Sequence, residues 1–156
     1  MQRSPFMRWK LLDERGERTY VLILDKNDEV VSTLTAFARD RRLGASHFTA
    51  IGAFSETTLG YFDRERREYA KIPLREQVEV LSLTGDIALG EDGPTIHAHV
   101  VVGKRDGTAH GGHLLGASVW PTLEVVLADA PRRLHRRHDA ESGLALIDLR
   151  TDDRAA

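Results

Sequence analysis

Hydrophobic and polar positions change period along the first third of the chain, and this predicts a strand followed by a helix. Residues 19–24 form an apolar run rich in β-branched and aromatic side chains, which is typical of a buried strand. After the polar residues 25–27, which can cap a helix, apolar residues recur at helical spacing from about residue 28 to residue 43. Gly44 stands where a left-handed residue would end that helix.

Beyond Gly44 the pattern changes to strand-length segments separated by glycine, proline or charged turns. Strands are predicted over residues 46–53, 55–63, 68–73, 77–84, 96–102, 114–119, 123–128 and 144–149. Turns are predicted at residues 91–94 and 104–107, a hinge at Trp120–Pro121 and a frayed tail over residues 151–156. One long early helix beside many short strands predicts an α+β fold with a mainly antiparallel sheet.

The composition is that of an ordinary globular domain. Of 156 residues, 41% are hydrophobic and 29% charged, so we expect one domain over residues 1–156 with its core in about residues 16–150. The formal net charge of −2 provides no basic field that would favour nucleic acid. No segment is apolar enough to be a signal peptide or a membrane span, and we expect a cytoplasmic protein with no membrane contact.

Histidines provide the most informative local pattern. The sequence has no cysteine, so a transition metal would have to be held by His, Asp or Glu. His97 and His99 fall in a predicted strand, where alternation places both on one face, roughly 6.5–7 Å apart along the backbone. His113 follows behind a turn, from where a neighbouring strand could supply it. Three imidazole nitrogens with an open position are a common zinc arrangement.

These histidines also have a structural interpretation. Interior histidines are commonly satisfied by backbone or side-chain acceptors, and an isolated H-x-H pair on a strand is weak evidence for metal. His113 strengthens the metal interpretation because it supplies a third ligand. With nitrogen ligands throughout, zinc is the expected ion, ahead of copper, nickel and iron.

Two residues are candidates for handling protons beside such a metal. Glu124 lies in an apolar, strand-like run, where it would be a ligand, an acceptor for a ligand imidazole, a general base or an outward-facing side chain. His110 would be a fourth ligand, a proton shuttle or a turn residue. Gly111 and Gly112 predict either a tight turn or the close approach of another backbone.

The densest basic segment covers residues 132–138, which include four arginines and are followed at once by acidic residues. Such a run of charges is usually a solvated surface. Contact with phosphates or with an acidic partner is the alternative. No residue is assigned to nucleic-acid binding.

Several motifs, taken in order, resemble the plants-and-prokaryotes-conserved (PPC) domain. They are T-G-D-I-A-L at residues 84–89, I-H-A-H-V at 96–100, G-G-H-L-L at 111–115 and P-T-L-E-V at 121–125, preceded by residues 52–55 and 59–63 and with Asp106-Gly107 between them. The resemblance spans roughly residues 16–130. It implies a compact α+β fold, usually a homotrimer, with the histidines facing a site near the subunit interface.

The resemblance also bears on ligands and partners. Some prokaryotic members look like metal binders through the H-x-H pair and the G-G-H histidine, which implies His97, His99 and His113 here. Plant members place the domain behind an AT-hook in nuclear DNA-binding proteins. This sequence has no Arg-Gly-Arg-Pro core and no basic N-terminal arm, so DNA is not an expected partner.

The leading hypothesis is therefore a stand-alone, homotrimeric PPC-like protein of unestablished activity. It would bind one divalent metal per subunit, expected to be zinc, with a possible small-molecule ligand near the metal. The alternative is a DNA-associated or protein-interaction module in which the histidines are structural. The sequence lacks the P-loop, dinucleotide-binding, nucleophile-elbow and H-E-x-x-H motifs, and whether it is an enzyme stays open.

Overall fold

The computed structural model describes residues 7–13 and 16–150, so the tail predicted at residues 151–156 lies outside the described residues. Within them the chain forms nine strands and one helix. In chain order these are β1 (Met7–Asp13), β2 (Arg18–Asp25), α1 (Val30–Arg41), β3 (Ala45–Asp63), β4 (Glu68–Leu74), β5 (Val78–Gly90), β6 (Gly93–Gly103), β7 (Ala109–Asp129), β8 (His135–His138) and β9 (Ala145–Asp148).

The start of α1 differs from the prediction. The residue that caps it is Glu29, which has an extended backbone and whose carboxylate accepts hydrogen bonds from the N–H groups of Val31 (3.2 Å) and Ser32 (2.7 Å). These bonds satisfy donors that the first turn of a helix leaves free. Helix α1 therefore begins at Val30, and residues 25–27 precede the cap.

The end of α1 also comes earlier than predicted, which leaves a helix of 12 residues. Arg42, at φ 54°, is the left-handed residue that ends it, and Gly44 has no such backbone. The N–H of Gly44 instead donates to the buried carboxylate of Asp129 (3.2 Å), which ties the chain to β7 where β3 starts. The expectation that Gly44 ends the helix was wrong because Arg42, two residues earlier, already takes the left-handed conformation.

The strands form one sheet, in the order β1-β2-β7-β3-β5-β8-β9, with β4 added to β3. Among the described strands the pairing is antiparallel, apart from one parallel bridge between Leu89 and His135. The predicted mainly antiparallel sheet is confirmed. Strand β6 pairs with both β5 and β7, and both of these pair with β3, so four strands form a closed circuit.

Several strand boundaries differ from the prediction. Strand β3 runs through both predicted strands 46–53 and 55–63, and β7 runs through 114–119 and 123–128, with a cis peptide at Trp120–Pro121. Strand β8 lies inside the basic segment 132–138, which shows no apolar alternation. Long strands continue through positions that break the pattern because their backbone hydrogen bonds are supplied by neighbours on both sides.

The core lies between α1 and the sheet. Leu34 and Phe37 of α1 are buried together with Val100 and Val102 of β6 and Val125 of β7. Full burial of a side chain of this size contributes about 1.5–3 kcal/mol. This packing holds one face of β6, so its alternate residues must face the other side of the strand. Among the described residues, no helix combines the length and apolar character needed to cross a bilayer.

Candidate metal centre

Strand register brings the three predicted ligands together. His97 and His99 lie two residues apart on β6, and His113 on β7 is the antiparallel partner of His99. Their alternate neighbours Ala98 and Val100 are buried in the core, so the histidines share the opposite face. The prediction that a neighbouring strand supplies His113 is confirmed.

The geometry of the cluster suits one small cation. One ring nitrogen from each of His97, His99 and His113 lies within 4.8 Å of the others, and the ring centroids are 5.2–5.4 Å apart. In a tetrahedral site two nitrogens on one zinc lie about 3.4 Å apart, since each Zn–N bond is about 2.1 Å long. The three imidazoles would have to draw closer together to reach that separation. A donor set of three nitrogens suits zinc and would leave a fourth coordination position open.

Electrostatics keep the cluster in the form that binds a cation. Burial lowers the pKa of His113 to about 4, with further lowering from His97 and His99. Burial also lowers the pKa of His97, and the nearby Arg136 guanidinium lowers it further, while Asp86 opposes the change. An imidazole must be neutral to donate its lone pair to a metal. Both pKa shifts favour neutral rings near pH 7.

A carboxylate on β5 holds one side of the cluster. Asp86 pairs with His97 across the β5–β6 ladder, and its Oδ2 lies 3.5 Å from His97 Nδ1. The other oxygen, Oδ1, accepts a hydrogen bond from Nη2 of Arg136 on β8. Because Nδ1 of His97 faces Asp86, its Nε2 is the nitrogen available to a metal.

An aromatic residue on β4 contacts the third histidine. The hydroxyl of Tyr69 lies 3.4 Å from Nδ1 of His113, and the two rings are stacked with centroids 4.5 Å apart. Burial raises the pKa of Tyr69, so its hydroxyl stays protonated at neutral pH. In the tautomer with the proton on Nδ1, His113 donates to the Tyr69 hydroxyl oxygen, and Nε2 keeps its lone pair for a metal.

A close approach of two backbones places His113 beside Tyr69. A Cβ on Gly112 would lie 2.8 Å from the carbonyl oxygen of Gly60 on β3, and a Cβ on Gly60 would lie 2.8 Å from Cδ1 of Tyr69. Of the two interpretations of Gly111 and Gly112, close backbone approach describes Gly112. Neither glycine has a left-handed backbone.

The structure does not bring the other two candidates into the cluster. Glu124 is an exposed residue of β7, between Ile23 of β2 and Ile51 of β3, and eleven residues along the strand from His113. His110 is the partner of Val102, which is buried in the core, so His110 lies on the opposite face from His113. A catalytic role for either one stays a prediction that this geometry does not favour.

Sequence reasoning missed Asp86, Tyr69 and Arg136. The register of the β5–β6 hairpin follows from its two-residue turn, which pairs Gly90 with Gly93. Counting back from that turn places Asp86 opposite His97, so the sequence contained the information needed to predict this pair. Tyr69 and Arg136 reach the site from strands paired elsewhere in the sheet, and no local pattern marks them. The sequence favours a solvated surface for the basic segment, whereas the Arg136 side chain is only 6% exposed.

Comparisons with known proteins identify the family. Residues 12–131 match the family described as the Plants and Prokaryotes Conserved (PCC) domain. No curated protein matches the chain significantly. A solved plant- and prokaryote-conserved (PPC) protein from Pyrococcus horikoshii is 27% identical, with a TM-score of 0.80, covering 94% of this chain and 97% of that one.

Two further solved structures share the fold over nearly their full length. One, from Bacteroides thetaiotaomicron, is a protein for which DNA binding has been suggested; it is 29% identical with a TM-score of 0.84, covering 92% of this chain and 99% of that one. The other is a metal-containing protein from Archaeoglobus fulgidus, 32% identical with a TM-score of 0.78, covering 93% of this chain and 99% of that one. Since the family match covers more than half of the 156 residues, the chain belongs to the plants-and-prokaryotes-conserved domain family.

Proposed function

We propose that this protein binds one divalent metal ion per chain, with zinc as the preferred ion, through His97, His99 and His113. The observation that carries the proposal is the convergence of three ring nitrogens within 4.8 Å on one face of β6 and β7. Two of the imidazoles have their Nδ1 atoms beside Asp86 and Tyr69, an arrangement that metal-binding histidines commonly share. The solved neighbour from Archaeoglobus fulgidus, a metal-containing protein, supports the same function.

The open coordination position defines what the site would do. His99 is solvent-exposed, so a water or a small molecule with an oxygen donor reaches the metal from that side. A bound zinc ion polarises such a ligand and lowers the pKa of a coordinated water. In this proposal the chain's own residues hold the ion and orient its ligands, and the small molecule is an oxygen-donor ligand.

Association into a homotrimer is part of the proposal. The resemblance to PPC domains implies it, and exposed apolar side chains on the sheet around Glu124 support it. Ile51, Leu81 and Val126 are 60%, 55% and 48% exposed on β3, β5 and β7. Exposed apolar side chains grouped in this way are typical of protein–protein contact surfaces. We propose a second copy of this chain as the occupant, and the cytoplasm as the location.

Metal content of the untagged protein, measured by elemental mass spectrometry after gentle desalting, tests the metal site. We expect about one equivalent of zinc per chain in the wild type and a large loss in His99→Ala, because two imidazoles hold zinc far less tightly than three. The exposed His138 provides the control, and His138→Ala should retain full content. A wild-type protein that carries no metal and takes up none from added zinc contradicts the proposal.

A second candidate function is a DNA-associated module with structural histidines. The suggested DNA binding of the Bacteroides thetaiotaomicron neighbour and the exposed side chains of Arg132, Arg133 and Arg137 favour it. Duplex DNA affinity across a salt series decides it, since phosphate contacts make affinity fall steeply with salt. Absence of binding at low salt removes this candidate.

A further inference from the structure

We infer that Asp86, held in place by Arg136, is the positioning residue that fixes the tautomer and orientation of His97. The inference rests on the proposed metal site and deepens it. It assigns the C-terminal hairpin of β8 and β9 a part in metal affinity. The family match ends at residue 131, so Arg136 lies beyond the matched region.

Asp86 has one oxygen for each partner. Its Oδ1 accepts from Arg136 Nη2, and its Oδ2 lies 3.5 Å from His97 Nδ1. At 3.5 Å the second contact is longer than the usual 2.7–3.2 Å of an N–H···O bond. A cation bound at Nε2 makes the Nδ1–H of an imidazole more acidic, so this contact shortens when metal binds. With Nδ1 protonated towards Asp86, the lone pair of Nε2 points at the other two histidines.

Arg136 is held more firmly than its neighbours in the basic segment. Its side chain is 6% exposed, and Nη1 donates to the carbonyl oxygen of Ala145 on β9 (3.0 Å) while Nη2 donates to Asp86. Its Nε is buried with no hydrogen-bond partner among the described residues. Burying a guanidinium is costly unless a carboxylate compensates it, so Arg136 and Asp86 fix each other.

The hairpin is anchored to the sheet next to Asp86. The N–H of Leu89 on β5 donates to the carbonyl of Leu134 (2.8 Å), and the N–H of Leu134 donates to the carbonyl of Gly44 (2.8 Å). These bonds place β8 alongside β5 and deliver Arg136 to Asp86. The adjacent residue, Arg137, is 64% exposed and contacts Asp148 (3.4 Å), so it provides a matched control on the same strand.

The test compares zinc dissociation constants of the wild type, Asp86→Asn, Arg136→Lys and Arg137→Lys. Loss of a carboxylate that orients a metal-bound histidine typically weakens affinity about 10–100-fold, and we expect this for Asp86→Asn. Arg136→Lys keeps the positive charge and therefore the repulsion of a cation. Lysine lacks the guanidinium group whose two Nη atoms donate to Asp86 and Ala145. We therefore expect Arg136→Lys to weaken zinc affinity, but by less than Asp86→Asn does. Arg137→Lys should bind zinc like the wild type.

A second readout follows the tautomer of His97 without metal. In long-range ¹H–¹⁵N correlation spectra of the metal-free wild type, we expect the Nδ1–H tautomer of His97, and in Asp86→Asn a shift of population to Nε2–H. A merely structural contribution of Asp86 to folding would leave the tautomer unchanged.

The outcomes separate this inference from the proposed function. If the wild type binds zinc and Asp86→Asn binds it equally well, the positioning role is overturned and the metal site stands. If Arg137→Lys weakens zinc binding as much as Arg136→Lys does, the loss is not specific to the contact between Arg136 and Asp86, and the role of Arg136 is overturned. If the wild type binds no metal, the proposed function fails, and the tautomer spectra alone decide whether Asp86 fixes His97.

Discussion

The aromatic ring of Tyr69 lies stacked on the imidazole of His113, with the two planes inclined by 29° and the hydroxyl 3.4 Å from Nδ1. The stacking and the polar contact are separable because phenylalanine retains the ring and loses the hydroxyl. This separation gives a direct test of how His113 is oriented.

Tyr69→Phe is expected to weaken zinc binding about tenfold, because His113 loses the partner of its Nδ1. The free energy of unfolding should change by less than about 1 kcal/mol, since the ring still packs on His113. Zinc titration and urea unfolding measure the two quantities. Unchanged affinity together with a large loss of stability would show that Tyr69 has only a packing role.

Gly112→Ala is expected to damage the cluster, and Gly111→Ala is its matched control. A Cβ at Gly112 would meet the backbone oxygen of Gly60 at 2.8 Å, so β3 and β7 must separate near His113. A Cβ at Gly111 would lie 3.4 Å from its nearest neighbours, an ordinary contact. We expect a cost of about 1–3 kcal/mol for the first change, with weaker zinc binding, and little effect of the second. Equal behaviour of the two variants would contradict the close-approach interpretation.

The metal-free protein should lose stability in mild acid. The pKa of His113 is about 4 in the folded chain, against about 6.5 for an unperturbed histidine, so the unfolded chain binds more protons between these values. The free energy of unfolding therefore rises with pH from about 4 to about 6.5 and is lost as pH falls through that window. Urea unfolding with chelator at several pH values measures the slope.

His113→Gln removes this titrating group and should flatten the slope. The lowered pKa of His97 acts with the same sign, so part of the slope should remain. A slope that is identical in His113→Gln and the wild type would show that other groups cause the acid sensitivity.

Ile51→Asp is expected to break the proposed trimer, because it replaces an exposed apolar side chain with a second carboxylate opposite Glu124. Sedimentation should then change from three times 17.5 kDa to 17.5 kDa. Leu149 is 81% exposed near the C-terminal hairpin, and Leu149→Asp should leave the mass unchanged. A wild-type mass of 17.5 kDa would contradict the trimer, and a trimeric Ile51→Asp would place the interface elsewhere.

The sequence predicted the histidine cluster because two local rules were sufficient. Alternation placed His97 and His99 on one face, and a short turn returned the chain so that His113 lies opposite His99. The predicted α+β class and antiparallel pairing were correct for the same reason, since each of the strands except β1 and β8 overlaps a segment with a strand pattern of its own.

The partners of the histidines depend on which strands lie side by side, which no local pattern contains. Tyr69 reaches His113 because β4 pairs with β3, and Arg136 reaches Asp86 because β8 joins β5. A basic run carries no periodic signal that one of its arginines is buried. A carboxylate in an apolar strand made Glu124 a candidate for the site. It lies instead at the far end of the long strand β7, beside β2 and away from His113.

The closed circuit of β3, β5, β6 and β7 has a consequence for how the protein would open. An ion bound to His97 and His99 on β6 and to His113 on β7 would join the two strands at the His99–His113 pair, where their pairing ends. The amide protons of these paired residues would then exchange with solvent only when the ion leaves. Removing the ion would make the amide protons of paired β6 and β7 exchange faster. Those of α1 and of the buried core behind β6 would remain protected from exchange.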